Sequence, residues 1–79
     1  MHPQITRILR DCLESQDYLD KYLAHTDISK IEYPFFYRVF TALKSVRDSG
    51  KQATFENLFL ELPEETRRED TARCMEISL

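Results

Sequence analysis

Apolar residues recur along this chain with the spacing of helices. Ile5, Ile8, Leu9, Cys12 and Leu13 fall at i, i+3, i+4, i+7 and i+8. That is one face of a helix opening at Pro3, with Arg7, Arg10, Asp11 and Glu14 outside it. The stripe stops at Ser15, Gln16 and Asp17, where the next core positions would be polar. A second stripe starts in a new phase at Tyr18, Leu19, Tyr22 and Leu23, so the pattern predicts helix, break, helix, with Ser15 as the second N-cap. His25, Thr26 and Asp27 read as a closing loop. Asp27 can cap a single turn over residues 28–31, whose two isoleucines tuck beneath the bundle.

The clearest helix lies within residues 33–50. Phe36, Val39, Phe40, Leu43 and Val46 form its apolar stripe, and Arg38, Thr41, Ser45 and Asp48 fall opposite. Pro34 suits a first turn and forces the residue before it out of helical geometry. Gly50 suits the left-handed position past the last turn, and Lys44 and Arg47 sit where the helix dipole favours cations. Beyond it, Thr54 reads as an N-cap for Phe55, Leu58, Phe59 and Leu62. Pro63 ends that helix or opens the next. Glu64 and Glu65 suit the first turn of a final helix, but residues 66–71 hold nothing apolar, so its buried face should be Ala72, Met75 and Leu79. No strand-like alternation, repeat or low-complexity run is present. The expectation is an all-α fold: one domain over residues 1–79, a small bundle of about five short helices around a central helix near 34–49.

Composition narrows the class of protein. A chain of 79 residues makes one domain. With 42% apolar residues and a net charge of −3 it can build a modest core. Residues 61–70 carry five acids and two bases and so account for all of that charge. No basic stripe of the kind that binds nucleic acid is present, which disfavours such a partner. No run approaches the roughly 20 apolar residues of a membrane span, and no signal peptide is evident, so the expected location is cytoplasmic. Cys12, on an apolar face, reads as a small buried hydrophobe rather than half of a disulfide.

Little in the chain suggests catalysis. His2, Cys12, His25 and Cys74 are the only soft metal ligands, and none stand at the close spacing of a zinc site. Nothing pairs His25 with a serine or cysteine nucleophile. Glu64/Glu65 and Glu69/Asp70 are adjacent on the chain, so neither pair would face itself across a helix, and both read as solvated acids. One glycine cannot make a phosphate loop. No catalytic, metal or cofactor site is expected. What remains is surface. Phe35 and Tyr37 flank the central stripe, either packing at its rim or serving, beside Arg38, as an anchor for a protein partner, since Tyr and Arg are favoured hot-spot types. Lys44, Arg47 and Lys51 form a small basic end that dipole complementarity explains as well. Phe35, Tyr37, Arg38 and Lys44 are the candidate partner-binding residues.

The same stretch resembles a known family. Asp27-Ile28, Pro34, Tyr37-Arg38-Val39-Phe40, Ala42-Leu43, Gly50-Lys51 and the apolar pair Phe55 and Leu58 resemble a helical module of bacterial replication proteins. It is found as the N-terminal domain of the replicative DNA helicase and within the C-terminal, helicase-binding domain of DNA primase. The resemblance spans residues 5–62. It departs at Ile28, where the family usually has Phe, and at Tyr37, where His is common. Leu62-Pro63-Glu64-Glu65 looks more like the primase version, yet the helical hairpin that makes the main helicase contact there has no counterpart, so the chain is a fragment or a stand-alone relative. The resemblance implies a non-catalytic module coupling primase to helicase, or a helicase-like oligomerisation module. Tyr37→Ala or Arg38→Ala should then weaken binding without unfolding. The alternatives are an acidic helical inhibitor or immunity-type protein using residues 61–70, and a nucleic-acid binder resting on Lys44, Arg47 and Lys51.

Overall fold

The computed structural model describes residues 3–79. Five α-helices and one 3₁₀ turn follow in order: α1 Pro3–Glu14, α2 Gln16–His25, the 3₁₀ turn Ile28–Lys30, α3 Pro34–Asp48, α4 Phe55–Glu61 and α5 Arg67–Ile77. The described residues include no strand, as the sequence pattern implies. None of their helices is long and apolar enough to cross a membrane.

The boundaries follow from local chemistry. Ser15 is the joint between α1 and α2. Its N–H still donates to Asp11 O at 3.1 Å, closing α1, while its backbone turns extended and its hydroxyl accepts from the Tyr18 N–H at 3.2 Å. One residue therefore ends one helix and caps the next. Asp27 and Thr54 cap the 3₁₀ turn and α4 in the same way, accepting from the Ser29 and Asn57 N–H groups. Pro34 occupies the first turn of α3. At the other end Gly50 adopts φ +75°, the Gly50 N–H donates to Arg47 O at 3.0 Å, and the Lys51 N–H donates to Val46 O at 3.1 Å. This pair of bonds is the Schellman arrangement, which needs a left-handed residue where Gly50 stands. Leu62 is extended ahead of Pro63, and α4 stops there. His25, expected in a loop, is instead the last residue of α2.

The core is built around α3, which buries Phe35, Phe36, Val39, Phe40, Ala42, Leu43 and Val46. That face is wider than the single predicted stripe because α3 is covered from two sides. Leu9, Cys12 and Leu19 of α1 and α2 join the same cluster from one side, with the Tyr22 ring 4.9 Å from that of Phe40. Leu58 and Leu62 of the α4 segment and Cys74 of α5 join it from the other. Completely buried side chains of the size of Phe40 or Leu43 each contribute about 2–3 kcal/mol by removal from water.

The last helix departs from its expected form. It starts at Arg67, so Glu64 and Glu65 lie in the turn before it, and Glu69 and Asp70 are the acids of its first turn. Its buried residues are Asp70, Thr71 and Cys74, with Ile77 partly covered, while Ala72 is exposed, Met75 is 47% exposed and Leu79 97%. The expected face of Ala72, Met75 and Leu79 is thus turned to solvent. The reason is that α5 docks partly through polar and cationic side chains, described next, and its inward stripe at 70, 71, 74 and 77 is half polar.

Candidate functional site

Arg38 and Asp70 set the geometry of the predicted site. Arg38 Nε donates to Asp70 Oδ2 at 2.8 Å and Nη2 to Oδ1 at 3.0 Å, a two-pronged pairing between α3 and α5. Asp70 is buried, whereas the Arg38 side chain keeps 29% of its exposure. Burial pushes the Asp70 carboxyl upward, but the hydrogen bonds and charge of Arg38, the nearby Thr66 and the charge of Arg73 outweigh it and hold the carboxyl below its ordinary value. The Thr66 hydroxyl favours the carboxylate by proximity without forming a well-aligned hydrogen bond. The same pairing raises Arg38, against the desolvation that would lower it.

Two further arginines fasten α5. The Arg73 guanidinium lies 4.1 Å above the Phe35 ring and 5.7 Å from that of Phe36. Arg67 stacks 5.3 Å from the Phe59 ring and donates to Leu62 O at 3.0 Å. Cations over aromatic faces are attracted by the ring quadrupole, so α5 adheres to Phe35 of α3 and Phe59 of α4 with only Cys74 and Ile77 of its own turned to the apolar core.

Against this framework the four candidate residues separate. Phe35 is buried beneath Arg73, on the rim-packing side of the two expectations, and offers no free face for a partner. Arg38 is committed to Asp70, so Arg38→Ala would strand a buried carboxylate and should lower stability as well as any binding. Lys44 stands apart, paired with Asp48 at 3.2 Å along the surface of α3. Tyr37 is 42% exposed and is the one of the four that presents an uncommitted aromatic ring.

Beside Tyr37 runs a shallow groove of about 240 Å³. One side is the α3 surface at Tyr37, Arg38, Thr41, Ala42 and Ser45, about 12 Å of helix at 1.5 Å per residue. The other is Glu61 and Pro63, where α4 ends. Ala42 borders the depression while being almost wholly buried in the core cluster. Ser45 Oγ donates to Glu61 Oε1 at 2.7 Å and ties the two walls together at one end.

The basic end read from Lys44, Arg47 and Lys51 does not form a patch. Arg47 is a structural hub: it donates to both carboxylate oxygens of Asp20 at 2.8 and 2.9 Å, to Gln16 Oε1 at 2.7 Å and to Lys51 O at 2.7 Å. Gln16 Oε1 also accepts the Ala53 N–H at 2.9 Å, so α2, α3 and the loop after Gly50 meet at one guanidinium. Hydrogen bonding to Arg47 holds Asp20 below the ordinary carboxylate range and raises Arg47 in turn. A second depression, between α2 and α3, is lined by these already paired charges and by Leu23 and Ala24.

Both cysteines are buried and reduced, and burial pushes each thiol up to about 12. Neither is a nucleophile in this state, because the thiolate is the reactive form. Among the described residues no group of three or more His, Cys, Asp and Glu side chains could hold a metal ion, and His2 lies outside them. The residues that sequence reasoning missed are Asp70, read as a solvated acid, Gln16, read only as part of the break between α1 and α2, and Arg73 and Ala42, to which it gave no site role. No family model, curated protein or solved structure matches the chain.

Proposed function

We propose that this chain is a non-catalytic protein-protein interaction module that docks a partner along the groove between α3 and the end of α4. The observation that carries this reading is the exposed Tyr37 ring at the edge of a groove whose two walls are tied by the Ser45–Glu61 bond, with Arg38 of the α3 wall held by Asp70 of α5. A tyrosine carried on a rigid helix beside a concavity offers a large contact area for few rotatable bonds, which suits a hot-spot residue. The identity of the partner rests on the resemblance over residues 5–62: a replicative DNA helicase, with the chain coupling it to primase or modulating that assembly. Calorimetry with the helicase N-terminal domain tests this. Binding should be detectable at tens of micromolar, and Tyr37→Ala should weaken it about tenfold while leaving the circular-dichroism melt in place. No heat at that concentration removes the helicase reading.

A second reading, an inhibitor that presents its acidic segment, draws on the exposure of Glu64, Glu65 and Glu69. Within that segment Asp70 is buried and Arg67 is committed to Phe59 and Leu62, so its outward charge is that of three glutamates together with Glu61 and Arg68. Its complex would weaken steeply with salt, and a salt-insensitive complex excludes it.

A further inference from the structure

The rim of the groove is unevenly charged. On the α3 side its one cation, Arg38, is neutralised by Asp70. Lys44, the nearest other base on α3, lies in the separate depression towards α2 and is paired with Asp48. On the opposite side Glu61 offers a carboxylate with only one oxygen engaged, by Ser45. Pro63 continues from it, and Glu64 and Glu65 follow in the same exposed turn, closed by the Thr66 N–H donating to Pro63 O at 3.1 Å. Glu61 is the acid that lines the groove, the Tyr37 ring lies on the α3 side, and the exposed Glu64 and Glu65 follow Pro63 in the chain, adding negative charge next to that wall. Leu60, also strongly exposed, precedes Glu61 and adds apolar surface beside the acidic wall.

From this charge pattern we infer that the groove takes a short cationic and apolar segment of a protein partner, an aliphatic side chain seated over Ala42 and lysine or arginine side chains set against Glu61, Glu64, Glu65 and the Tyr37 ring. The volume admits about one or two large side chains, so the segment presents a single apolar anchor rather than a long stripe. The cations serve twice: they pair with the carboxylates across the wall, and they lie over an aromatic face that attracts them. An acidic segment is excluded from the same groove by like-charge repulsion. This inference rests on the groove being the binding surface and adds the chemistry of what enters it.

The test is a ¹H–¹⁵N titration of the full chain with two twelve-residue amphipathic peptides, one of leucine and lysine, the other with every lysine replaced by glutamate. The lysine peptide should shift the amides of Thr41, Ala42, Ser45, Glu61 and Glu64, and its affinity should fall several-fold from low to physiological salt. The glutamate peptide should shift none of them. Glu64→Lys with Glu65→Lys, both exposed and outside any helix, should weaken binding of the lysine peptide and remove or reverse its salt dependence, with the melt confirming the fold. Equal binding of the two peptides, shifts confined to another face, or an unchanged salt dependence in the double variant each overturn the inference. The partner assignment fails separately: a lysine peptide that binds the groove of a chain deaf to the helicase keeps the inference and removes the helicase, and helicase binding indifferent to the two lysine substitutions does the reverse.

Discussion

Arg38 and Asp70 stand 32 residues apart in sequence and meet through two hydrogen bonds of 2.8 and 3.0 Å. One of the pair was expected to be a recognition residue and the other part of a solvated acidic face. Together they are the joint by which α5 is held to α3, and most of the testable consequences of the fold run through them or through the similar joint at Arg47.

Removing one partner should cost more than an exposed ion pair would. Asp70→Ala leaves a half-buried guanidinium unpaired, and the expected loss is about 2–3 kcal/mol, less than for a fully buried pair because Arg38 still reaches water. For a domain of this size that lowers Tm by about 10–20 °C. Thermal melts of Asp70→Ala, Arg38→Ala and the double variant measure the coupling. Additive losses would show that the two residues do not support one another.

Acid should loosen the same joint. Asp70 and Asp20 are both held below the ordinary carboxylate value in the folded chain, so the unfolded chain takes up their protons more readily. Each contribution is complete above the ordinary carboxylate value of about 4 and disappears as pH falls through the lower folded value. Denaturant midpoints should thus fall below about pH 4, and less steeply in Asp70→Asn, whose side chain does not titrate there. Identical slopes for the variant and the parent would assign the acid sensitivity elsewhere.

Gly50→Ala probes the turn that closes α3. A methyl group meets nothing within 4 Å there, so the cost is backbone strain alone. About 1 kcal/mol is expected for a side chain held in the left-handed region, with Gly50→Asn costing less because asparagine tolerates that geometry. Chemical denaturation that ranks asparagine below alanine would contradict the assignment.

Arg47→Lys keeps the charge and discards the fork. Three groups depend on that fork: the Asp20 carboxylate, Gln16 and the Lys51 carbonyl. The substitution should lower Tm more than Lys44→Ala, which removes only a surface pair along one helix. If the two variants melt alike, the hub is no more than an ordinary surface contact.

Cys12 and Cys74 should be silent towards a thiol reagent in the native protein and both react once the chain is unfolded, since burial and thiols raised to about 12 leave almost no thiolate at neutral pH. A native chain that reacts quickly at either cysteine would show that α1 or α5 opens readily.

What could be read in advance divides along physical lines. Ser15, Asp27, Pro34, Gly50 and Thr54 act on backbone groups within a few residues of themselves, and the sequence states their neighbours, so the element boundaries up to α4 were legible except at the end of α2, which runs through His25. The stripes of α1 and α3 were legible for the same reason, because burial repeats with the helical period. The docking of α5 was not. Asp70 and Arg73 look like any solvated charges until the fold places Arg38 and Phe35 beside them, and no local rule encodes a partner more than thirty residues away. At the candidate site Tyr37 could be found, since it lies off the α3 stripe. Glu61 and Pro63, which make the opposite wall, belong to another element and could not.

The polar docking of α5 also sets the order in which the bundle comes apart. Thr66 Oγ1, Arg67 Nε and Thr71 Oγ1 are buried without a hydrogen-bond partner in the chain, and the helix contributes only Cys74 and part of Ile77 to the apolar core. Little apolar area of α5 itself is forfeited when it lifts away, and its three unpaired polar atoms regain water. Its amides should therefore exchange with solvent ahead of those of α3, through a local opening that uncovers Phe35 and Phe36 while α1 to α4 stay folded. In that opened form the chain would expose two adjoining phenyl rings, and its tendency to self-associate should rise with the fraction of time α5 spends undocked.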